Sequence, residues 1–237
     1  NLAPLPKEES RAVVQVYAAR VIRWRKYFAV HSWIATKEKG ADHYRTYHVI
    51  GWRQRYGRDI VVVEKTDTPD AKWFGNTPEL LYDLRGPAAE RAIPTIVAAS
   101  GTYPYPKAYR AWPGPNSNTF VSYIIRKTPE LKMDLPPTAI GKDWIEDGKL
   151  VGLSESKTGV QLSLFGALGV TLGLREGIEV NVLGLSFGLD FLRPALKLPF
   201  VGRVGYSGSP SVEPEEPQVV AEADPELEAD LDRAGTL

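Results

Sequence analysis

Trp112-Pro113-Gly114-Pro115-Asn116-Ser117-Asn118-Thr119-Phe120 is the stretch on which the reading of this chain turns. Two prolines around a glycine make a stiff turn. Three small polar side chains close it, just ahead of the apolar run Phe120-Val121-Ser122-Tyr123-Ile124-Ile125. That order predicts a helix start. Asn and Ser oxygens accept from the orphan N–H groups of a first helical turn, and the helix dipole there favours negative charge. Ser117 therefore has three readings: a cap, a nucleophile, or what is left of one.

Upstream, residues 11–19, 28–36, 44–52, 60–63 and 79–84 are β-rich and bounded by turn residues, so they read as strands. A helix is predicted over 87–99, opened by Pro87 in a first-turn position and kinked or divided at Pro94. The helix after Asn116-Ser117-Asn118 is expected to end near Pro129. Strands first and helices after predict an α+β fold built on an antiparallel sheet.

Downstream, Val160, Leu162, Leu164, Leu168, Val170, Leu172 and Leu174 alternate with polar or glycine positions, and Ile178, Val180 and Val182 do so again after Arg175-Glu176-Gly177. The apolar set then shifts phase. The pattern reads as one long β-hairpin with a bulge near Leu183-Gly184. Its apolar face must be covered by this chain's own core, by another chain or by a membrane surface. The expected organisation is a leader (1–10), an α+β core (11–157), the hairpin and a Pro/Gly strap (158–210), and a tail (211–237) with the composition of disorder.

Composition narrows the chemistry. With no cysteine, disulfides, thiolate metal sites and cysteine catalysis are excluded. The three histidines, His31, His43 and His48, lack zinc-ligand spacing, and no phosphate-binding glycine loop occurs. Asp67, Asp70, Asp143, Glu146 and Asp147 lack binding-loop spacing, so neither metal nor cofactor is expected. Arg53, Arg55 and Arg58 around Tyr56 read as a solvated strand end, and no nucleic-acid partner is expected. No apolar run approaches the roughly 20 residues of a membrane helix. Residues 211–237 hold nine acidic side chains against Arg233, a net −8; because the whole chain balances at 29 against 29, residues 1–210 carry +8. A basic body with an acidic tail suggests self-association of the two or a partner for each. Arg23, Trp24, Arg25 and Lys26 form a basic aromatic turn, either solvated or touching lipid headgroups or an acidic partner.

Phe28-Ala29-Val30-His31-Ser32-Trp33-Ile34 together with Asn116-Ser117-Asn118-Thr119-Phe120 resembles a degenerate form of the circularly permuted papain-like fold of the lecithin retinol acyltransferase type. The resemblance places His31 and His48 in the family's histidine positions and Ser117 where its cysteine nucleophile stands, with Asn118 and Thr119 replacing Glu and His. It implies His31 as base, His48 as orienting group, and Asn116, Asn118 or backbone N–H groups as oxyanion donors. A serine gains less than a thiol from such a setting. Residues 11–205 also resemble an uncharacterised bacterial family whose members carry an N-terminal anchor or signal. Its segments here are His31-Ser32-Trp33-Ile34, residues 112–120, Pro136-Pro137-Thr138-Ala139-Ile140-Gly141-Lys142-Asp143 and Leu192-Arg193-Pro194-Ala195-Leu196-Lys197-Leu198-Pro199.

Two functional expectations result. The first is an exported, periplasmic or membrane-associated accessory protein on a hydrolase-derived fold, meeting protein partners through its C-terminal hairpin and acidic tail; a first residue other than Met agrees with a processed precursor and equally with a truncated sequence. The second is a Ser/His amidase, esterase or acyltransferase acting on cell-envelope peptide or lipid, with Ser117, His31 and His48 at its centre.

Overall fold

The computed structural model describes residues 2–206 and, as backbone only, residues 211–212. The remainder of the acidic tail lies outside the described residues. The strand-rich first half forms a six-stranded sheet. Its members are β1 (Val13–Arg20), β2 (Val30–Lys37), β3 (Tyr44–Val49), β4 (Val61–Thr66), β5 (Glu79–Arg85) and the short β13 (Ser211–Val212), in the order β13-β5-β1-β2-β3-β4. All neighbours are antiparallel except β13, which runs parallel to β5.

Alternation divides this sheet into two apolar faces. Val14, Val16, Val30, Ile34, Tyr47 and Leu84 face two helices, α1 (Pro87–Gly101) and α2 (Ser117–Lys127), and with Ile93, Ile96, Phe120, Val121 and Ile124 they make the main core. Val13, Tyr17, Trp33, Ala35 and Tyr44 form a smaller core on the far side. Ala3 is buried in it, and the Tyr44 hydroxyl donates to the Pro4 carbonyl at 2.9 Å. The segment read as a leader thus packs as part of the fold.

Of the kink or division expected at Pro94, the division is corrected. α1 runs unbroken through it because Pro94 and Glu90 both lie on the exposed side, where water can satisfy the carbonyl that loses its helical donor. In α2 every residue from Ser117 to Ile125 is buried. A helix closed on all sides needs a third layer, and the rest of the chain supplies it.

That layer is a second sheet, and here the long-hairpin expectation is overturned. Strands β6 (Val151–Leu153), β7 (Gly159–Leu164), β8 (Leu168–Gly173), β9 (Gly177–Val182), β10 (Leu185–Asp190), β11 (Ala195–Leu198) and β12 (Gly202–Gly205) form a seven-stranded antiparallel meander in chain order. The phase shift after Val182 is a turn, not a bulge. Leu183 (φ 53°) and Gly184 (φ 79°) are both left-handed, and Val182 pairs directly with Leu185, the geometry of a tight two-residue hairpin. A leucine in the first turn position hides the signal that Asn-Gly would give. The stretch read as a strap contributes β11 and β12. Between the sheets, residues 128–145 form a seam: Leu131, Met133, Leu135 and Ala139 enter the main core, while Asp134, Lys142 and Asp143 point at the second sheet. No helix among the described residues is long and apolar enough to cross a membrane.

Candidate functional site

The start of α2 is held by Asn116, not Ser117. Asn116 Oδ1 accepts from the N–H groups of Asn118 (2.9 Å) and Thr119 (3.1 Å), and Thr119 Oγ1 accepts in return from the Asn116 N–H at 3.2 Å, a complete capping box. Asn116 Nδ2 donates to the carbonyls of Ile140 (2.9 Å) and Ala111 (3.2 Å). Asn118 Nδ2 donates to Val30 O (3.0 Å) and Ile140 O (2.8 Å), and its Oδ1 accepts from Ser32 Oγ at 2.8 Å. Both side-chain amides, proposed from sequence as oxyanion donors, are committed to tying α2 to β2 and the seam. Gly141 completes the knot. At φ +96° it suits no other residue, and a Cβ there would lie 2.5 Å from Asn116 Nδ2.

His31 and His48 come together, but away from Ser117. Ser32 on β2 faces Asn118, so its neighbour His31 faces the opposite side of the sheet, beside Trp33. His48, paired to the same face, has its ring centroid 6.0 Å from that of His31. His31 lies flat on Trp73, with centroids 3.9 Å apart and planes 9° apart. Among the described residues neither imidazole hydrogen-bonds Ser117, and Nε2 of each histidine is buried without a hydrogen-bond partner. Burial, seconded by His48, pushes the His31 imidazole down to about 3. Burial also lowers His48, against the pull of Glu64, whose carboxylate lies 3.8 Å away. His43 sits apart, bonded to Asp42 at 2.7 Å. The Ser117–His31–His48 constellation is therefore divided by the sheet: the two histidines belong to an aromatic cluster, and Ser117 to the first turn of a buried helix. Tyr103 and Tyr105, with Tyr123 and Trp144, line a cavity of about 210 Å³ beside α2. Among the described residues no three metal-ligating side chains gather.

The second sheet carries the arrangement that sequence reasoning missed. Its polar alternate positions are the buried ones. Gln161, Ser163, Thr171, Glu179, Asn181, Ser186 and Lys197 all turn inward. Glu179 bridges two lysines, Lys142 and Lys197, each at 2.5 Å, and Lys197 also holds Asp134 at 2.6 Å. Asp143 accepts from Asn181 Nδ2 (2.5 Å), Gln161 Nε2 (3.1 Å) and Ser186 Oγ (3.3 Å). Burial opposes the charge on Lys142, but Glu179, Asp143 and Glu155 outweigh it and hold the ammonium well above the ordinary lysine range. At Asp134 burial is likewise outweighed, chiefly by Lys197, and the carboxyl falls below its usual value.

The apolar alternate positions face out. On β7–β12 every outward side chain is Val, Leu, Ile or Phe, and Val160, Leu162, Val170, Leu172, Val180, Phe187, Leu196 and Val204 are between 38% and 54% exposed. This inverts the usual rule for a sheet on a core. A partial signal for the inversion was present: apart from Glu179 and Lys197, the inward polar positions named above are small or amide-bearing (Ser163, Thr171, Ser186, Gln161, Asn181), whereas a solvated strand face favours long charged side chains.

At one end of this sheet the basic turn predicted as a contact site is found beside it. Residues Arg23–Tyr27 form a short 3-10 turn. Arg25 lies over the Trp24 ring (5.2 Å) and Lys26 over the Tyr27 ring (5.4 Å). Trp24 touches Phe28 (5.4 Å between centroids), and Phe28 meets Phe200 edge-on (6.2 Å) in the turn between β11 and β12. Trp112 reaches the same end, its Nε1 donating to the Leu183 carbonyl at 2.7 Å.

Comparison with known proteins gives a family and no function. Residues 11–144, more than half of the chain, match the family described as protein of unknown function (DUF3750), and the chain belongs to that family. No curated protein and no solved structure matches the chain. The matched stretch holds β1–β5, both helices and the seam, and ends just before the second sheet begins.

Proposed function

We propose that this chain is an exported accessory protein of a membrane-associated assembly that binds rather than catalyses, and that it docks through the outward face of β6–β12. One observation carries the reading: the second sheet buries its polar face on the seam and leaves its apolar face open. Its seven strands, six residues long in β7–β10 and three or four in β6, β11 and β12, make a sheet of about 29 by 17 Å, or about 500 Å². That is the size of the largest apolar patches found on monomers, which often mark interaction sites.

The proposal includes a permuted papain-like origin for the core. Its support is the contact of the α2 N-terminus with β2 through Asn118 and Ser32, beside a strand that carries His31. A working Ser/His hydrolase would need Ser117 Oγ within hydrogen-bond reach of His31, and the sheet backbone stands between them.

Light scattering on the full chain, with and without mild detergent, tests the docking role. Self-association or detergent uptake is expected for the natural chain and not for a Val170→Gln/Val180→Gln/Phe187→Gln variant. A natural chain that is monomeric, detergent-free and indistinguishable from that variant contradicts it.

A further inference from the structure

The chemistry of the exposed face says what covers it. We propose that β6–β12 seat face-on against the acyl region of a single lipid leaflet, with the cationic aromatic end at residues 23–28 lying among anionic headgroups. This rests on the docking reading above and names the occupant.

Three observations converge. First, the outward face of β7–β12 offers no hydrogen-bonding side chain at all. A protein–protein interface carries about one hydrogen bond per 100–200 Å², so a patch of this size facing a protein would be expected to hold several. Hydrocarbon asks for none, and polar-in, apolar-out alternation is the pattern of strands that meet lipid.

Second, the rim has the composition of a membrane interface. Trp24 and Tyr27 are 62% and 65% exposed, and Phe200 54%. The rings of Trp24, Phe28 and Phe200 form one continuous contact that ends on the sheet. Amphipathic aromatics settle at headgroup level. Arg23, Arg25 and Lys26 stand beside them with no acidic residue in the turn, a charge complement to anionic lipid worth about 1 kcal/mol per cation near the surface.

Third, the dimensions allow seating and forbid crossing. Strands of three to six residues are shorter than the roughly 9–11 that span a bilayer. The sheet is also open, with β6 and β12 at its edges. Edge backbone groups find no partner in hydrocarbon. Lying flat keeps both edges at the polar boundary, as an amphipathic helix keeps its polar face there.

Flotation of the full chain with vesicles tests this, using pure phosphatidylcholine and phosphatidylcholine containing one-third phosphatidylglycerol. The natural chain is expected to float with both, more strongly with the anionic vesicles. Val170→Gln/Val180→Gln/Phe187→Gln is expected to lose at least about tenfold in partitioning to both. Arg25→Ala/Lys26→Ala is expected to lose only the preference for anionic vesicles. All five substituted side chains are exposed, so folding is checked by an unchanged thermal transition. A chain that fails to float yet forms a dimer, dissolved by the triple substitution, overturns the lipid proposal and leaves the docking reading standing, with a second copy as occupant. A chain that neither floats nor associates overturns both.

Discussion

Lys142 Nζ and Glu179 Oε2 form an ion pair 2.5 Å apart beneath the centre of the second sheet, with both side chains at most 3% exposed. This contact fixes which way the sheet faces. β9 can place Glu179 and Asn181 on the seam only by turning Ile178, Val180 and Val182 outward. An isolated buried charge costs several kcal/mol, so the sheet cannot flip to hide its apolar face without stranding Lys142, Asp143 and Asp134.

Removing one partner should therefore be severe. Glu179→Gln or Lys142→Met is expected to destabilise the protein by about 3–5 kcal/mol, measured by urea unfolding. The substitution Val180→Gln, one residue along on the outward face, is expected to change stability by no more than about 0.5 kcal/mol. The reverse order would mean that the polar face is the solvated one.

At the α2 N-terminus the two asparagines, not the serine, should matter. Asn118→Ala strands Ser32 Oγ, frees the Val30 carbonyl and leaves the Ile140 carbonyl with Asn116 Nδ2 alone of its two side-chain donors, and a loss of about 3 kcal/mol is expected. Ser117→Ala is expected to cost about 1 kcal/mol or less. A serine-reactive fluorophosphonate probe is expected to leave Ser117 unlabelled, as mass spectrometry would show; labelling at Ser117 would restore the hydrolase reading.

Gly141 is the backbone side of the same knot. Gly141→Ala forces a left-handed residue to carry a Cβ and drives it into Asn116. A loss of more than about 1 kcal/mol is expected, with reduced amide-exchange protection in the first turn of α2. An unchanged unfolding midpoint would show that the cap is not held from this side.

The buried histidines make stability depend on acid. His31 is held at about 3 when folded and titrates near its ordinary value of 6.5 when unfolded. Between those values the unfolded chain binds the extra proton, so stability falls as pH drops from about 6.5 toward 3, by at most about 1.4 kcal/mol per pH unit from this group. The lowered His48 acts in the same direction. His31→Phe is expected to flatten the slope of the urea midpoint over that range; an unchanged slope would place the titration elsewhere.

Much of the first sheet was legible in the sequence. β1, β2, β3 and β5 sit within two residues of their predicted starts because β-branched runs bounded by turn residues are an unambiguous local signal. Both helices were legible from Pro87 and from Asn116-Ser117-Asn118. The candidate site was not. Proximity in a motif says nothing about sheet face, and the odd-numbered position of His31 beside Ser32 sets the histidine opposite Ser117. The second half was legible as alternation but only faintly as orientation, through its small and amide-bearing polar positions: the apolar periodicity of β7–β10 is identical whether the apolar set faces in or out. What decides it is the placement of Asp134, Lys142 and Asp143 on the seam, a long-range fact. Leu183 in a left-handed turn position hid the hairpin between β9 and β10.

Because the chain has no cysteine, the orientation of this sheet can be read one position at a time. The most direct measurement is maleimide labelling of Val180→Cys, on the outward face of β9, against Thr171→Cys, on the inward face of β8, in the full chain with and without anionic vesicles. Rapid labelling of Val180→Cys in solution, slowed at least about tenfold by vesicles, with Thr171→Cys unreactive throughout, is the expected result. A reactive Thr171→Cys beside a protected Val180→Cys in vesicle-free solution would contradict the inverted sheet on which the docking face depends.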